Sequence, residues 1–102
     1  MKNLNFNILF IMRCTRPKKN GLAPIYARIT TGGQRQELYI QCDGNPESWD
    51  QKKERALGTN KLAMQVNEAL NEFRSKIMEV RRTLQAEGYE ANALQIKRRY
   101  LN

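Results

Sequence analysis

Six polar residues, Tyr26, Arg28, Thr30, Arg35, Glu37 and Tyr39, recur at a spacing of two on either side of a Gly-Gly pair in "PIYARITTGGQRQELYI". Arginine bonds guanine edges and phosphates, while threonine and tyrosine add hydrogen bonds and apolar contact. Brought onto one surface, such residues do the chemistry of nucleic-acid recognition. The competing reading is a solvated surface on which Arg28 only pairs with Glu37, a contact worth about 0.2–1 kcal/mol.

Catalytic chemistry is poorly supplied. The chain has no histidine, no nucleophile beside a base, no convergent carboxylate pair and no phosphate-cradling glycine loop. Cys14 and Cys42 follow no metal-ligand spacing, and without histidine they do not suggest a zinc site. They read as buried or idle thiols, since nothing indicates an oxidising compartment.

The elements that must position the six residues follow from the turn. Gly32 and Gly33, at the centre of a two-residue hairpin, set Thr31 opposite Gln34, Thr30 opposite Arg35, Ile29 opposite Gln36, Arg28 opposite Glu37, Ala27 opposite Leu38, Tyr26 opposite Tyr39 and Ile25 opposite Ile40. Alternation then gathers Ile25, Ala27, Ile29, Leu38 and Ile40 on an inward face and the six polar residues on the outward one. "FNILFIMR", residues 6–13, supplies a first strand with Phe6, Ile8, Phe10 and Met12 inward, which puts Arg13 on the outer face with Arg28. The loop between them is marked by Pro17, Gly21 and Pro24 and carries Arg16, Lys18 and Lys19 at its tip.

After the hairpin, residues 43–59 show no apolar period and read as an irregular connection, with Trp49 sealing an edge of the core. From residue 60, Leu62, Val66, Ala69, Leu70, Phe73, Ile77, Val80 and Leu84 recur every three or four residues, the stripe of a helix that stops at Gly88 and covers the inward sheet face. Beyond Gly88 a second helical pattern starts, with Asn92 as its N-cap and Leu94, Ile96, Tyr100 and Leu101 apolar. No partner for this segment is evident, and it reads as the start of a second, truncated domain. Its Lys97, Arg98 and Arg99 suit either DNA phosphate or solvent.

Charge supports the recognition reading. A formal +8 and a sequence pI near 9.9 over 102 residues imply an anionic partner. Residues 1–41 carry +6, residues 42–59 carry −1 and residues 60–102 carry +3, so most of the excess lies on the strand half. The short apolar run near the N-terminus lacks the length and cleavage site of a secretion signal, and no segment is long enough to span a membrane, so a cytoplasmic protein is expected.

The order of signals resembles, over nearly the whole chain, the N-terminal arm-site DNA-binding domain of tyrosine recombinases, the integrases of phages and conjugative transposons. Its most specific pieces are "PIYARIT" and the PxxWD of Pro46, Trp49 and Asp50. "EGYEANALQIKRRYLN" is similar to the linker into the core-binding domain of such integrases, with Asn92 where threonine is common and Asn102 where glycine is. "YIQCDGNP" departs from the more usual "STGI"-like run. The resemblance implies an α+β fold, a three-stranded antiparallel sheet packed against one long C-terminal helix and followed by a short linker helix. Residues 1–88 would form the arm-type domain (sheet 5–42, connection 43–59, helix 60–87), and 89–102 the linker.

The resemblance also implies that the sheet enters the major groove of arm-type sites. Arg28 matches the arginine of the family's second strand, Arg35 the basic residue past the turn, and Arg13 the basic position ending the first strand. Tyr26, Thr30 and Tyr39 join Arg28 and Arg35 in the groove, while Arg13, Arg16, Lys18 and Lys19 take phosphates or groove edges. The catalytic residues of such recombinases belong to a C-terminal domain outside this chain, so Tyr100 is not their nucleophile. The partners implied are double-stranded DNA and other integrase protomers through those other domains, with no cofactor, metal, membrane or small-molecule substrate. Two alternatives stand beside this reading: an RNA-binding module stacking bases on Tyr26 and Tyr39, and a protein-interaction module using the amphipathic helix.

Overall fold

The computed structural model describes residues 6–13 and 21–101. Cys14 and the basic tip residues Arg16, Lys18 and Lys19 lie outside the described residues. Three strands, β1 (Asn7–Met12), β2 (Ala23–Thr31) and β3 (Gln34–Gly44), form an antiparallel meander with β2 in the centre. The turn joining β2 to β3 has positive φ at both central residues, 61° at Gly32 and 76° at Gly33, the geometry that matches the twist of a hairpin and that glycine adopts without penalty. It fixes the expected register from Thr31–Gln34 through Tyr26–Tyr39. The expected Ile25–Ile40 pair is not made. A bulge intervenes, Pro24 pairs with Asp43 instead, and Gln41 takes a positive φ of 65° to absorb the extra residues. Pro24, read as a loop marker, therefore falls inside β2, where its carbonyl accepts from the Arg13 amide.

The inner face of the sheet is Ile8, Phe10 and Met12 from β1, Ile25, Ala27 and Ile29 from β2, and Leu38 and Ile40 from β3, all buried, with Phe6 packed at the margin. Over it lies α1 (Lys61–Ala86), whose Val66, Leu70, Phe73, Ile77 and Leu84 are buried. Phe73 meets Phe10 edge to face at 6.0 Å between ring centroids. Each such large side chain contributes about 1.5–3 kcal/mol by leaving water. The helix starts at Asn60, whose side chain accepts from the Ala63 amide at 2.8 Å. It stops at Gly88, where the Tyr89 and Gly88 amides donate back to the carbonyls of Leu84 and Gln85 and φ is 87°.

Between sheet and helix the chain is not irregular throughout, as its lack of period suggested. A 3-10 turn (Pro46–Ser48) leads into a short hairpin of β4 (Trp49–Asp50) and β5 (Arg55–Ala56), strands of two residues, too short to show an alternation. Asp50 folds its turn by accepting from the amides of Lys52 and Lys53, and Trp49 packs against the core. The hairpin docks on the free edge of β1: the Phe10 amide donates to Glu54 Oε1 at 2.9 Å, and Gln51 Nε2 donates to the Phe10 carbonyl at 2.8 Å. On its other side the Asn67 amide group of α1 bonds both the N–H and C=O of Ala56, standing in for a strand.

The segment after Gly88 does find a partner. α2 (Ala93–Leu101), capped by the Asn92 side chain on the Gln95 amide, packs back onto α1 and the β2–β3 hairpin, with Ala93 and Ile96 fully buried. Tyr100 meets Phe73 edge to face at 5.2 Å, and Arg99 Nη2 pairs with Glu87 Oε1 at 2.9 Å. The Leu94 amide donates to Gln34 Oε1, which ties α2 to the tip of the sheet.

Candidate nucleic-acid interface

Alternation puts the side chains of Leu9 and Ile11 from β1, Tyr26, Arg28 and Thr30 from β2, and Arg35, Glu37 and Tyr39 from β3 on the face of the sheet away from α1, joined at its end by Arg13. None of these is buried, and Arg35 is exposed. The structure thus brings together Arg13, Tyr26, Arg28, Thr30, Arg35 and Tyr39, the expected residues that fall within the described chain.

At the middle of this face is Glu37. Arg28 Nε donates to its Oε2 at 2.9 Å and Arg28 Nη2 lies 2.8 Å from the same oxygen, while Arg13 Nη2 bonds its Oε1. The hydrogen bond from Arg28, helped by the charge of Arg13, holds the Glu37 carboxyl below its ordinary range against the opposing push of burial. The cross-strand pairing expected of a merely solvated surface is therefore present, but it joins two arginines from two strands around one carboxylate. Arg13 also lies over the ring of Tyr26, 5.2 Å from its centroid. The Tyr26 and Tyr39 rings are 5.6 Å apart, and the Tyr39 hydroxyl donates to Asp43 Oδ1 at 2.7 Å. These contacts link the aromatic and charged residues into one band across the three strands.

Toward the hairpin tip the band opens into a shallow cleft of about 430 Å³, lined by Asn7, Leu9, Arg28, Thr30, Gln34 and Arg35. Arg35 is exposed and makes no ion pair among the described residues, which leaves its guanidinium open to an incoming anion. Reading the sequence did not single out Leu9 or Ile11, since strand 1 is apolar on both faces, nor the Asp43 contact, which exists only because of the bulge. The double pairing of Glu37 was half visible, in its register opposite Arg28.

Basic residues elsewhere are differently occupied. Arg74 lies over the Phe10 ring at 5.1 Å and Arg81 over Phe6 at 4.5 Å, so their charged heads cover the core's edge. Most of the apolar stripe of α1, from Val66 to Leu84, is buried against the sheet and α2. Cys42 is a free thiol, pushed up in pKa by burial and by Asp43. Among the described residues no group of histidine, cysteine or carboxylate side chains could hold a metal ion, and no helix is long and apolar enough to cross a membrane.

A family model described as an arm DNA-binding domain matches residues 10–97, a span that takes in the second half of β1, all of β2, β3 and α1, and the first half of α2. Neither the curated proteins nor the solved structures yield a match.

Proposed function

The chain belongs to the arm DNA-binding domain family, a class of non-catalytic DNA-binding modules, and from that premise we propose that its outer sheet face enters the major groove of duplex DNA. The observation that carries this is the band of Arg13, Arg28, Arg35, Tyr26, Thr30 and Tyr39 on the side of the sheet away from α1, where no helix of the described residues lies. Strands about 4.8 Å apart make a three-stranded sheet about 10 Å across its backbones, which suits a groove about 12 Å wide. Arg28 and Arg35 reach guanine edges, Leu9 and Ile11 meet thymine methyls, and Tyr26, Thr30 and Tyr39 add contacts on either side. Arg16, Lys18 and Lys19 take phosphates or groove edges, and Arg13 a groove edge beside Arg28.

In the larger setting we read the domain as the N-terminal part of a cytoplasmic tyrosine recombinase. It holds arm-type sites while other domains, with other protomers, cut and rejoin strands during integration. Residues 1–88 are then the arm-type unit and residues 89–102 its link to the next domain.

The test is a titration of 15N-labelled protein with short duplexes at low and moderate salt. Amide shifts concentrated on residues 13–39 and weakening with salt are expected. Replacing Arg28 and Arg35 together by alanine should cost about thirtyfold or more in affinity, each being worth about 1–3 kcal/mol if it reads a base. Unchanged affinity would remove the sheet as the reader, and stronger competition by single-stranded RNA than by duplex DNA would transfer the face to RNA.

A further inference from the structure

We propose that Glu37 is a specificity-determining residue, whose carboxylate aims Arg13 and Arg28 at a G·C pair and keeps phosphate out of the centre of the face. This rests on the reading that the outer face enters the major groove.

Glu37 is the sole acidic residue among the first 41, against seven basic ones, and it sits where it weakens attraction to a polyanion most. A face built only to grip backbone has no use for a carboxylate there. The geometry gives it another use. Arg28 spends Nε and Nη2 on Oε2, and Arg13 spends Nη2 on Oε1. Each guanidinium is thereby fixed in a plane with its remaining N–H groups directed past Glu37, instead of sweeping a cone on a flexible stem. Tyr26 under Arg13 and Arg28's position on the central strand restrict them further.

A G·C pair offers guanine O6 and N7 as acceptors and cytosine N4–H as a donor in one groove. Guanidinium donors beside a carboxylate with lone pairs left over match that pattern on a single base pair. Phosphate offers acceptors alone, and Glu37 repels it.

The experiment uses the whole chain, wild type and Glu37→Gln, which keeps shape and loses charge. Duplexes are enriched from a randomised pool by the wild-type protein. Affinities for enriched and random duplexes are then measured by fluorescence anisotropy over a salt series, with circular dichroism as the check on folding. In Glu37→Gln, affinity for random duplex should rise. Its salt slope should steepen by up to about 0.9 per arginine released to phosphate. The enriched-to-random ratio should fall by about tenfold or more, the loss concentrated at one G·C position. Arg28→Lys, a second variant that keeps the charge but not the planar fork, should lose the same discrimination with the salt slope unchanged.

An unaltered ratio in both variants, with the wild type selective and bound through residues 13–39, would overturn the role of Glu37 and leave the major-groove reading standing. A wild-type protein that enriches no sequence, or whose sheet amides do not respond to DNA, would overturn both.

Discussion

Alanine at Gly32 and alanine at Gly33 look like the same mutation, yet the two should differ in cost. Both residues have positive φ, 61° and 76°, so a Cβ at either incurs the left-handed penalty of about 1–2 kcal/mol. At Gly33 that is the whole cost, since nothing lies within 4 Å of the added carbon. At Gly32 the Cβ would sit 2.9 Å from Asn92 Cβ and 3.3 Å from Asn92 Cα. Asn92 caps α2, so it cannot yield without moving the first turn of that helix, and overpacking of this kind costs about 1–3 kcal/mol more. Because about 1 kcal/mol moves the melting midpoint of a domain this size by about 4–8 °C, thermal and urea denaturation by far-ultraviolet circular dichroism will resolve the difference. Amide exchange adds the mechanism: residues 93–101 should lose protection in Gly32→Ala and keep it in Gly33→Ala. Equal destabilisation, with α2 equally protected in both, would refute the docking of α2 against the turn.

Two further outcomes follow from the packing and the charges. Ile96→Ala removes a side chain that is fully buried and should cost about 2–5 kcal/mol in urea denaturation; a change within about 0.5 kcal/mol would mean that α2 does not pack on the domain. The folded-state pKa of Glu37 lies below its ordinary value of 4.5, so its pairing stabilises the fold above that value, and this contribution is lost as pH falls through the lowered one. The urea midpoint of Glu37→Gln should accordingly fall less than that of the wild type as the solution is acidified below about pH 4.5; parallel curves would show that the carboxylate is not held by the arginines.

The parts of this molecule that could be read from its sequence are those fixed by local rules. A two-residue glycine turn sets a hairpin register, and that register alone placed Arg28 beside Glu37 and Tyr26 beside Tyr39. A helical stripe from Leu62 to Leu84 needs a surface to cover, and the inward sheet face was there to be covered. The bulge at Gln41 escaped because nothing in the order of side chains marks where two strands drift out of step. The second arginine on Glu37 escaped for a related reason: ten residues separate β1 from β2 where a two-residue turn joins β2 to β3, so no local rule fixes how Arg13 lines up across the sheet. The docking of α2 rests on two buried anchors, Ala93 and Ile96, in the core it shares with α1 and the sheet, with Asn92 set against the glycine turn. Gly32 reads as a turn former, and its second use, as the hollow against which Asn92 rests, shows only in three dimensions.

Among the described residues, the hairpin of β4 and β5 hydrogen-bonds the free edge of β1 at Phe10, with side chains, not backbone. An edge strand left bare is a template on which another chain can extend the sheet. Here the template is interrupted at the middle of its six residues by a carboxylate and a carboxamide, and no uninterrupted run of amides and carbonyls is left for a neighbour to copy. The chain is thereby protected from adding strand to strand with a neighbour at this edge. Gln51 and Glu54 act as a stop at the border of the sheet, holding the backbone of a core residue with side chains that offer no strand to extend.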